Sequence, residues 1–233
     1  MSDKNEDLTI GITDNSMKNS SPQKLLGINI DSKLTFNKHV SSLCIKASQR
    51  LHALSRVSNY MTSQKRKNIF HSFILSQFSY CPLVWMFHSR KLNNRINKIY
   101  YRVLKLIYQD EDSTFDKLLE MDNAFTIHER NIQSLGIELY KVAYGISPEI
   151  MRHVFPTKSN IKFPWENIFK TFNVRTTSWG TESLYHIGPK IWSNIPTELK
   201  KLPFFKFKKE IRLWKPICPC RLCKTFIPGL GFI

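Results

Sequence analysis

The stretch that decides the fold is Ser89–Tyr108, with the sequence SRKLNNRINKIYYRVLKLIY. Apolar residues recur in it every three or four positions, which is typical of an α-helix with one face in a core. Basic residues follow the same period, and at 1.5 Å per residue they form a stripe about 21 Å long beside the apolar face. The apolar residues are Leu92, Ile96, Ile99, Val103 and Ile107, and the basic residues are Lys91, Arg95, Lys98, Arg102 and Lys105.

Helical periodicity continues on both sides of this stretch. A helix is predicted from about Asn37, as its cap, and its buried face comprises Val40, Leu43, Cys44, Ala47, Leu51 and Leu54. A second helix is predicted over about 62–77, with Ile69, Phe70, Phe73 and Ile74 buried. Downstream, Ser113 and Thr126 are predicted to open two helices, the latter through a capping box with Glu129.

The segments outside these helices have other patterns. Residues 1–23 are polar without a sustained period and predict a flexible lead-in. Residues 24–36 predict a short β-hairpin with its turn at Asp31-Ser32-Lys33. Residues 156–233 are basic, aromatic and rich in proline, with weak strands predicted at 172–177 and 183–187 and a basic helix at 204–214. The predicted fold class is mainly α with a minor β component: a helical bundle over 37–155, preceded by the hairpin and followed by a basic, proline-rich α+β tail.

Positive charge is concentrated in one part of the chain. The 233 residues carry a net charge of +17, and residues 24–109 alone contain 15 Lys and Arg residues but a single acid, Asp31. A folded segment of this composition repels itself unless counterions or a polyanion neutralise it. Nucleic acid is the leading partner; an acidic membrane surface and a merely solvated basic surface are the alternatives.

Two groups of basic residues are candidates for binding nucleic acid. The stripe on the predicted helix has no acid three or four positions away to relieve its repulsion, so it predicts a phosphate-binding face. Lys65, Arg66 and Lys67 oppose the dipole at the start of their predicted helix, and a bound phosphate would relieve this. A solvated, screened surface is the alternative for both groups.

A cysteine cluster near the C-terminus is a candidate metal site. Cys218, Cys220 and Cys223 offer three thiols within six residues, and zinc takes four ligands of this type. Because no His or Cys follows Cys223, the fourth ligand has to come from elsewhere, for example His186. Cys44 and Cys81 are interpreted as core thiols.

Several functional classes find no support in the sequence. The longest apolar stretch, Cys81–Phe87, has seven residues, whereas a bilayer span needs about 20, so no membrane partner is expected. The polar N-terminus predicts a chain that is not secreted and resides inside the cell, in the nucleus or a cytoplasmic ribonucleoprotein. The motifs of P-loop, zinc-protease and serine-hydrolase sites are absent from the sequence.

A set of short motifs resembles one family of polymerases. The motifs are KLLGINID (24–31), LTF (34–36), YCPLVW (80–85), FNVR (172–175), IGPKIW (187–192), CPCRLCK (218–224) and LGFI (230–233). Together they are similar to the segment after the palm in reverse transcriptases of non-LTR (LINE-like, jockey-type) retrotransposons, over about residues 24–233.

This resemblance implies a function. It makes residues 24–36 a primer-grip-like hairpin, residues 37–155 a thumb-like helical domain and residues 156–233 a basic C-terminal segment with the Cys cluster. It implies RNA or an RNA–DNA hybrid as the partner. The fingers, the palm and the catalytic aspartates of RNA-directed DNA polymerase would precede residue 24, so we expect a truncated fragment that is not itself an enzyme and has no catalytic residues.

Two other hypotheses remain open. In one, the chain is an interaction module that docks an acidic partner or a separately encoded palm-containing reverse transcriptase chain, with the apolar face from Val40 to Leu54 as its interface. In the other, the chain is a decayed reading frame with no selected function.

Overall fold

The fold is mainly α with a minor β component, as predicted. The computed structural model describes residues 10–12, 15–17, 23–176, 180, 183–220 and 222. Two short antiparallel hairpins come first, β1 (Ile10–Ile12) with β2 (Asn15–Met17) and β3 (Gln23–Leu25) with β4 (Ile28–Ile30). The helices are α1 (Asn37–Val57), α2 (Ser63–Ile69), a π-helical segment (Phe70–Leu75), α3 (Ser76–Phe78), α4 (Pro82–Trp85), α5 (Arg90–Tyr108), α6 (Phe115–Met121), α7 (Ile127–Ala143), α8 (Ile150–Val154), α9 (Leu184–Asn194), α10 (Thr197–Lys200) and α11 (Phe204–Glu210).

Helix α5 is the centre of the first of two hydrophobic cores. All five of its predicted apolar residues are buried, and α1, α2 and α6 pack against it. Each such side chain contributes about 1.5–3 kcal/mol when it is fully buried. The predicted face of α1 faces this core, with Val40, Cys44, Ala47 and Leu54 buried. That face is therefore not available as the docking surface that the interaction-module hypothesis required.

A β-hairpin is present as predicted, but it ends at Ile30 instead of continuing to residue 36, and its turn lies elsewhere. Leu25 pairs with Ile28, so Leu26 and Gly27 form the turn, both with positive φ (46° and 86°). Two successive positive φ angles match the right-handed twist of a two-residue hairpin, and glycine adopts one without strain. Asp31 instead organises the next loop, where its carboxylate accepts hydrogen bonds from the amides of Lys33, Thr35 and Phe36.

Two of the predicted helix caps are corrected. Asn37 is the first residue of α1 and Phe36, with no side-chain cap, is its N-cap residue, because Asp31 already holds the loop. Thr114 rather than Ser113 caps α6, since the Ser113 hydroxyl is bonded to Asp110. The capping box of Thr126 and Glu129 at α7 is confirmed.

The π-helical segment changes which side chains of the second predicted helix are buried. Phe70 and Ile74 are buried, but Phe73 is 58% exposed, contrary to the prediction. The wider π turn shifts the residues that follow it out of phase with an α-helical face. The carbonyl of Phe73 then accepts hydrogen bonds from Arg50 and Gln77.

The C-terminal part of the chain builds a second core on α7. Leu135 and Leu139 of α7 pack with Phe155, Trp192 and Phe207. Because Phe155 belongs to the same core as residues from α9 and α11, the predicted boundary at 155/156 lies inside a core. Helix α7 also contributes Ile127 to the first core, so it is shared by both.

The predicted strands of the tail are wrong. Residues 172–176 form no strand and residue 177 lies outside the described residues, while 183–187 falls at the start of α9. Ile187, Ile191 and Trp192 are buried at helical spacing, and the Ser183 side chain caps that helix. The only β contact among the described residues of the tail is an isolated bridge between Thr157 and Phe169. The predicted basic helix is confirmed over Phe204–Glu210.

None of the helices in the described ranges is both long enough and apolar enough to cross a membrane.

Gly188 provides a test of the second core. A Cβ at this position would lie 2.7 Å from Cε1 of Phe155, so Gly188→Ala is expected to lower the free energy of unfolding by about 1–3 kcal/mol. Urea unfolding followed by tryptophan fluorescence measures the change. Ser193→Ala, at an exposed position of the same helix, is the control. Equal midpoints for the two variants would contradict the packing described.

Candidate nucleic-acid interface and metal-ligating cluster

Helix α5 carries a stripe of four basic side chains on its solvent side, in addition to Arg90 at its first position, which is also exposed. Lys91, Arg95, Lys98 and Arg102 are all exposed. In the described part of the chain, ion pairs join Lys67 to Asp122, Lys105 to Glu111 and Lys141 to Glu138, and none involves these four. Within the described ranges, their charge is therefore compensated by solvent and counterions alone.

The single acid of residues 24–109 is occupied locally. Besides three backbone amides, the Asp31 carboxylate accepts a hydrogen bond from the Thr35 hydroxyl. Together these hydrogen bonds lower the pKa of Asp31, although burial opposes them. Asp31 thus stabilises the loop before α1 and pairs with no base in the described structure. Asp31 therefore does not reduce the surrounding excess of positive charge through an ion pair.

Lys105, the fifth predicted member of the stripe, is in a different environment. Its ammonium contacts the carbonyl and the carboxylate of Glu111 and lies 4.8 Å from the ring centre of Tyr101. Hydrogen bonds to Tyr101 and Glu111 raise its pKa, although desolvation acts the other way. Lys105 is therefore partly neutralised, and the exposed stripe runs from Lys91 to Arg102.

A groove borders the stripe where α1 packs beside α5. Its volume is about 290 Å³. Arg102 and Lys105 lie on its α5 side, and polar residues of α1 face them. The lining residues are Ser48, Leu51, His52, Ser55, Arg102, Lys105, Leu106 and Glu111. Ser48, His52 and Ser55 share one face of α1 at spacings of four and three, a pattern visible in the sequence but not used in its interpretation.

The three basic residues of α2 have three different roles. Lys65 is exposed and available to a ligand. Lys67 pairs with Asp122 at 2.6 Å. Arg66 is only 4% exposed, which corrects its assignment as a nucleic-acid contact.

Arg66 instead joins the ends of helices. Its guanidinium donates to the carbonyls of Ile107 at 2.7 and 2.9 Å, Ser58 at 3.0 Å and Met61 at 2.6 Å. The last carbonyls of a helix have no partner within it and carry the negative end of its dipole. A buried cation placed among them satisfies both the hydrogen bonds and the charge.

A group of possible metal ligands lies between α7 and the C-terminal segment. One nitrogen of His128 and the sulfurs of Cys218 and Cys220 all lie within 4.8 Å of one another, and His128 Nε2 is 3.2 Å from Cys220 Sγ. His128 and Cys220 are buried. Cys223 lies outside the described residues. Sequence reasoning missed His128, because 92 residues separate it from Cys220 and only folding brings them together.

His186, the fourth ligand suggested by the sequence, lies elsewhere. Its Nδ1 is 3.2 Å from the carbonyl of Phe172, and its Nε2 is 2.7 Å from Lys190 Nζ. Both ring nitrogens have partners outside the group of His128, Cys218 and Cys220. The prediction of His186 is therefore replaced by His128.

A second buried histidine lies near this group. Burial lowers the pKa of His88 to about 4, and the charges of His128 and Cys220 also act on it. At neutral pH this imidazole is therefore uncharged, which is the form that binds metals.

No family model, curated protein or solved structure matches this chain.

The role of Arg66 is open to a direct test. Arg66→Gln removes a charged donor from the carbonyls of Ser58, Met61 and Ile107, so the free energy of unfolding should fall by about 3 kcal/mol. Lys65→Gln, one residue away and exposed, should change it by less than about 0.5 kcal/mol. Chemical unfolding of both variants measures the difference. If Arg66 were a solvent-facing phosphate ligand, the two variants would be equally stable.

Proposed function

We propose that this chain binds RNA or an RNA–DNA hybrid through phosphate contacts along α5. The observation that carries the proposal is the row of four exposed cations, Lys91 to Arg102, without a carboxylate partner among the described residues. Neighbouring charges on one helix face destabilise it unless they are screened. A polyanion supplies that screening and releases its own counterions on binding.

The geometry of the stripe favours a nucleic-acid backbone as the ligand. Lys91 and Arg102 are separated by about 16 Å along the helix axis, and duplex DNA carries one phosphate charge per about 1.7 Å of its axis. Four cations can therefore each meet a phosphate of a single bound segment. Contacts of this kind position the ligand and read little of its sequence.

The groove between α1 and α5 extends the proposed interface. Arg102 lies both on the stripe and in the groove. A nucleic-acid backbone bound along the stripe would therefore continue into the groove. The hydroxyls of Ser48 and Ser55 and the ring of His52 offer hydrogen bonds there. The 2′-hydroxyl of ribose both donates and accepts hydrogen bonds, so it could bond to these side chains.

The similarity to retrotransposon reverse transcriptases points in the same direction. In such a protein the thumb holds the template–primer duplex, and the helical domain with its basic face would have this role here. We propose that the chain binds this duplex without carrying out nucleotidyl transfer itself, and that it acts inside the cell within a ribonucleoprotein. Metal-dependent primer extension by the purified chain would contradict the first of these statements.

A second proposed function is zinc binding by His128, Cys218 and Cys220. Thiolate and imidazole ligands favour zinc among the common divalent ions, and the three ligand atoms already lie within 4.8 Å of one another. An ion there would join the C-terminal segment to α7, which is the usual effect of a structural zinc site.

Salt-dependent binding tests the first proposal. In the fourfold variant Lys91→Gln, Arg95→Gln, Lys98→Gln and Arg102→Gln, the slope of log K against log[salt] for a short RNA–DNA hybrid should become about 3 units less steep, because each lost phosphate contact removes about 0.7–0.9. Fluorescence anisotropy at several salt concentrations gives the slopes.

The matched control removes the same charge from other exposed sites. It carries Lys158→Gln, Lys206→Gln, Lys208→Gln and Lys209→Gln and should keep most of the slope of the unmodified chain. Equal losses in both variants would show only a dependence on net charge. Binding to polyglutamate with no binding to the hybrid would favour an acidic protein partner instead.

Zinc content tests the second proposal. The chain purified under reducing conditions is expected to hold about one zinc ion, and Cys220→Ser and His128→Gln should each remove most of it. Elemental analysis after dialysis measures the ratio. Cys81, which was predicted to be a core thiol, is exposed and lies outside the metal-ligating group, so Cys81→Ser should leave the ratio unchanged. A zinc-free wild-type chain would refute the site.

A further inference from the structure

His88 lies in the short connection between α4 and α5, where it is almost fully enclosed. It is 5% exposed, and its Nδ1 is 3.0 Å from the carbonyl oxygen of Trp85. A carbonyl oxygen can only accept, so Nδ1 carries the proton and donates it. In a neutral imidazole the other nitrogen, Nε2, then has a free lone pair.

The Nε2 atom of His88 is buried and has no hydrogen-bond partner within the described ranges of the chain. The side chain of Asn93 approaches the ring without meeting hydrogen-bond geometry at this nitrogen. Almost all buried polar atoms in proteins have a hydrogen-bond partner. An atom without one therefore calls for an explanation, and a bound ion is one such explanation. A histidine that binds a metal through one nitrogen and donates its other N–H to a backbone carbonyl has this arrangement.

Two residues of the proposed metal site, His128 and Cys220, lie close enough to His88 for their charges to act on its ring. Nδ1 of His128 is a second buried ring nitrogen that has no hydrogen-bond partner among the described residues. The group of His128, Cys218 and Cys220 supplies three ligands, whereas a structural zinc ion takes four in a tetrahedron. Among the described residues the ligand set is thus incomplete, and the buried Nε2 of His88 offers a further lone pair.

We propose that Nε2 of His88 is the fourth ligand of the metal ion held by His128, Cys218 and Cys220. This inference rests on the zinc site proposed above. His88 lies outside the compact group of three, so its imidazole closes on the ion as the ion binds. The ion would then connect three parts of the chain: the residue that precedes the N-cap of α5, the first turn of α7 and the C-terminal segment.

Cobalt substitution tests this assignment on the full chain. Co²⁺ is titrated into the metal-free, reduced protein and its visible absorption is recorded, because the intensity of these bands distinguishes tetrahedral from higher coordination. His88→Gln is expected to weaken Co²⁺ binding by more than about 100-fold, since even outer-shell changes cost 10–100-fold. His186→Gln, a histidine bonded elsewhere, is the control and should behave as the wild type.

The outcomes separate this inference from the zinc proposal. If the wild type binds neither Co²⁺ nor Zn²⁺, the zinc site itself fails. If the wild type binds and His88→Gln binds with the same affinity and spectrum, the zinc site stands and the role of His88 is refuted. Loss of the tetrahedral spectrum in Cys223→Ser alone would assign the fourth position to Cys223 and would also overturn the inference.

A measurement on the unmodified chain covers the case in which His88→Gln does not fold. The ring nitrogens of ¹⁵N-labelled histidine are followed by NMR with and without Zn²⁺. The Nε2 resonance of His88 should shift to a metal-bound value while its Nδ1–H remains. An unchanged Nε2 resonance in the zinc-loaded chain would refute the assignment.

Discussion

A single buried guanidinium determines how the two main helices of the first core are placed. Arg66 binds the carbonyl of Ile107 at the end of α5 and those of Ser58 and Met61 just beyond the end of α1. The C-terminal ends of both helices therefore meet at one cation, so α1 and α5 run in the same direction with their dipoles converging on it. Because α1 and α5 lie side by side in this way, their polar faces border a common groove. The buried Arg66 thus helps to place the two helices that form the basic surface and its groove.

The distribution of acids explains why only part of α5 carries free charge. The carboxylates that pair with residues of the basic segment come from the acidic stretch after α5, with Glu111 on Lys105 and Asp122 on Lys67. Both partners contact the segment near the C-terminal end of α5. Towards its N-terminal end the described chain brings no carboxylate within pairing distance of Lys91, Arg95 or Lys98. The basic side chains of α5 are thus neutralised near its C-terminal end and remain positive towards its N-terminal end. A negatively charged ligand would be attracted mainly to the N-terminal part of the helix.

Features that depend on residue spacing within one helix could be predicted from the sequence. Features that depend on contacts between distant segments could not. The face of α5 and the capping box of α7 follow from spacings within a few residues, and both predictions are confirmed. The burial of Arg66 could not be predicted, because its partners are carbonyls up to 41 residues away. The prediction of strands in the tail was wrong because Gly188 and Pro189 are unfavourable within a helix. Helix α9 forms nevertheless, since its apolar residues pack against α7. The proximity of His128 to Cys220 is likewise a product of tertiary folding. Its only sequence signal was a histidine beside a capping box that already explained the residues around it.

Two adjacent residues at the end of α4 pack in different cores: Trp85, its last residue, in the first core and Met86, the residue after it, in the second. Helix α7 divides in the same way, with Ile127 in the first core and Leu135 and Leu139 in the second. Disruption of either core therefore disturbs a segment that also packs in the other. A chain cut after residue 155 would expose the apolar side of α7, and its amide protons would lose their protection against hydrogen exchange along most of that helix.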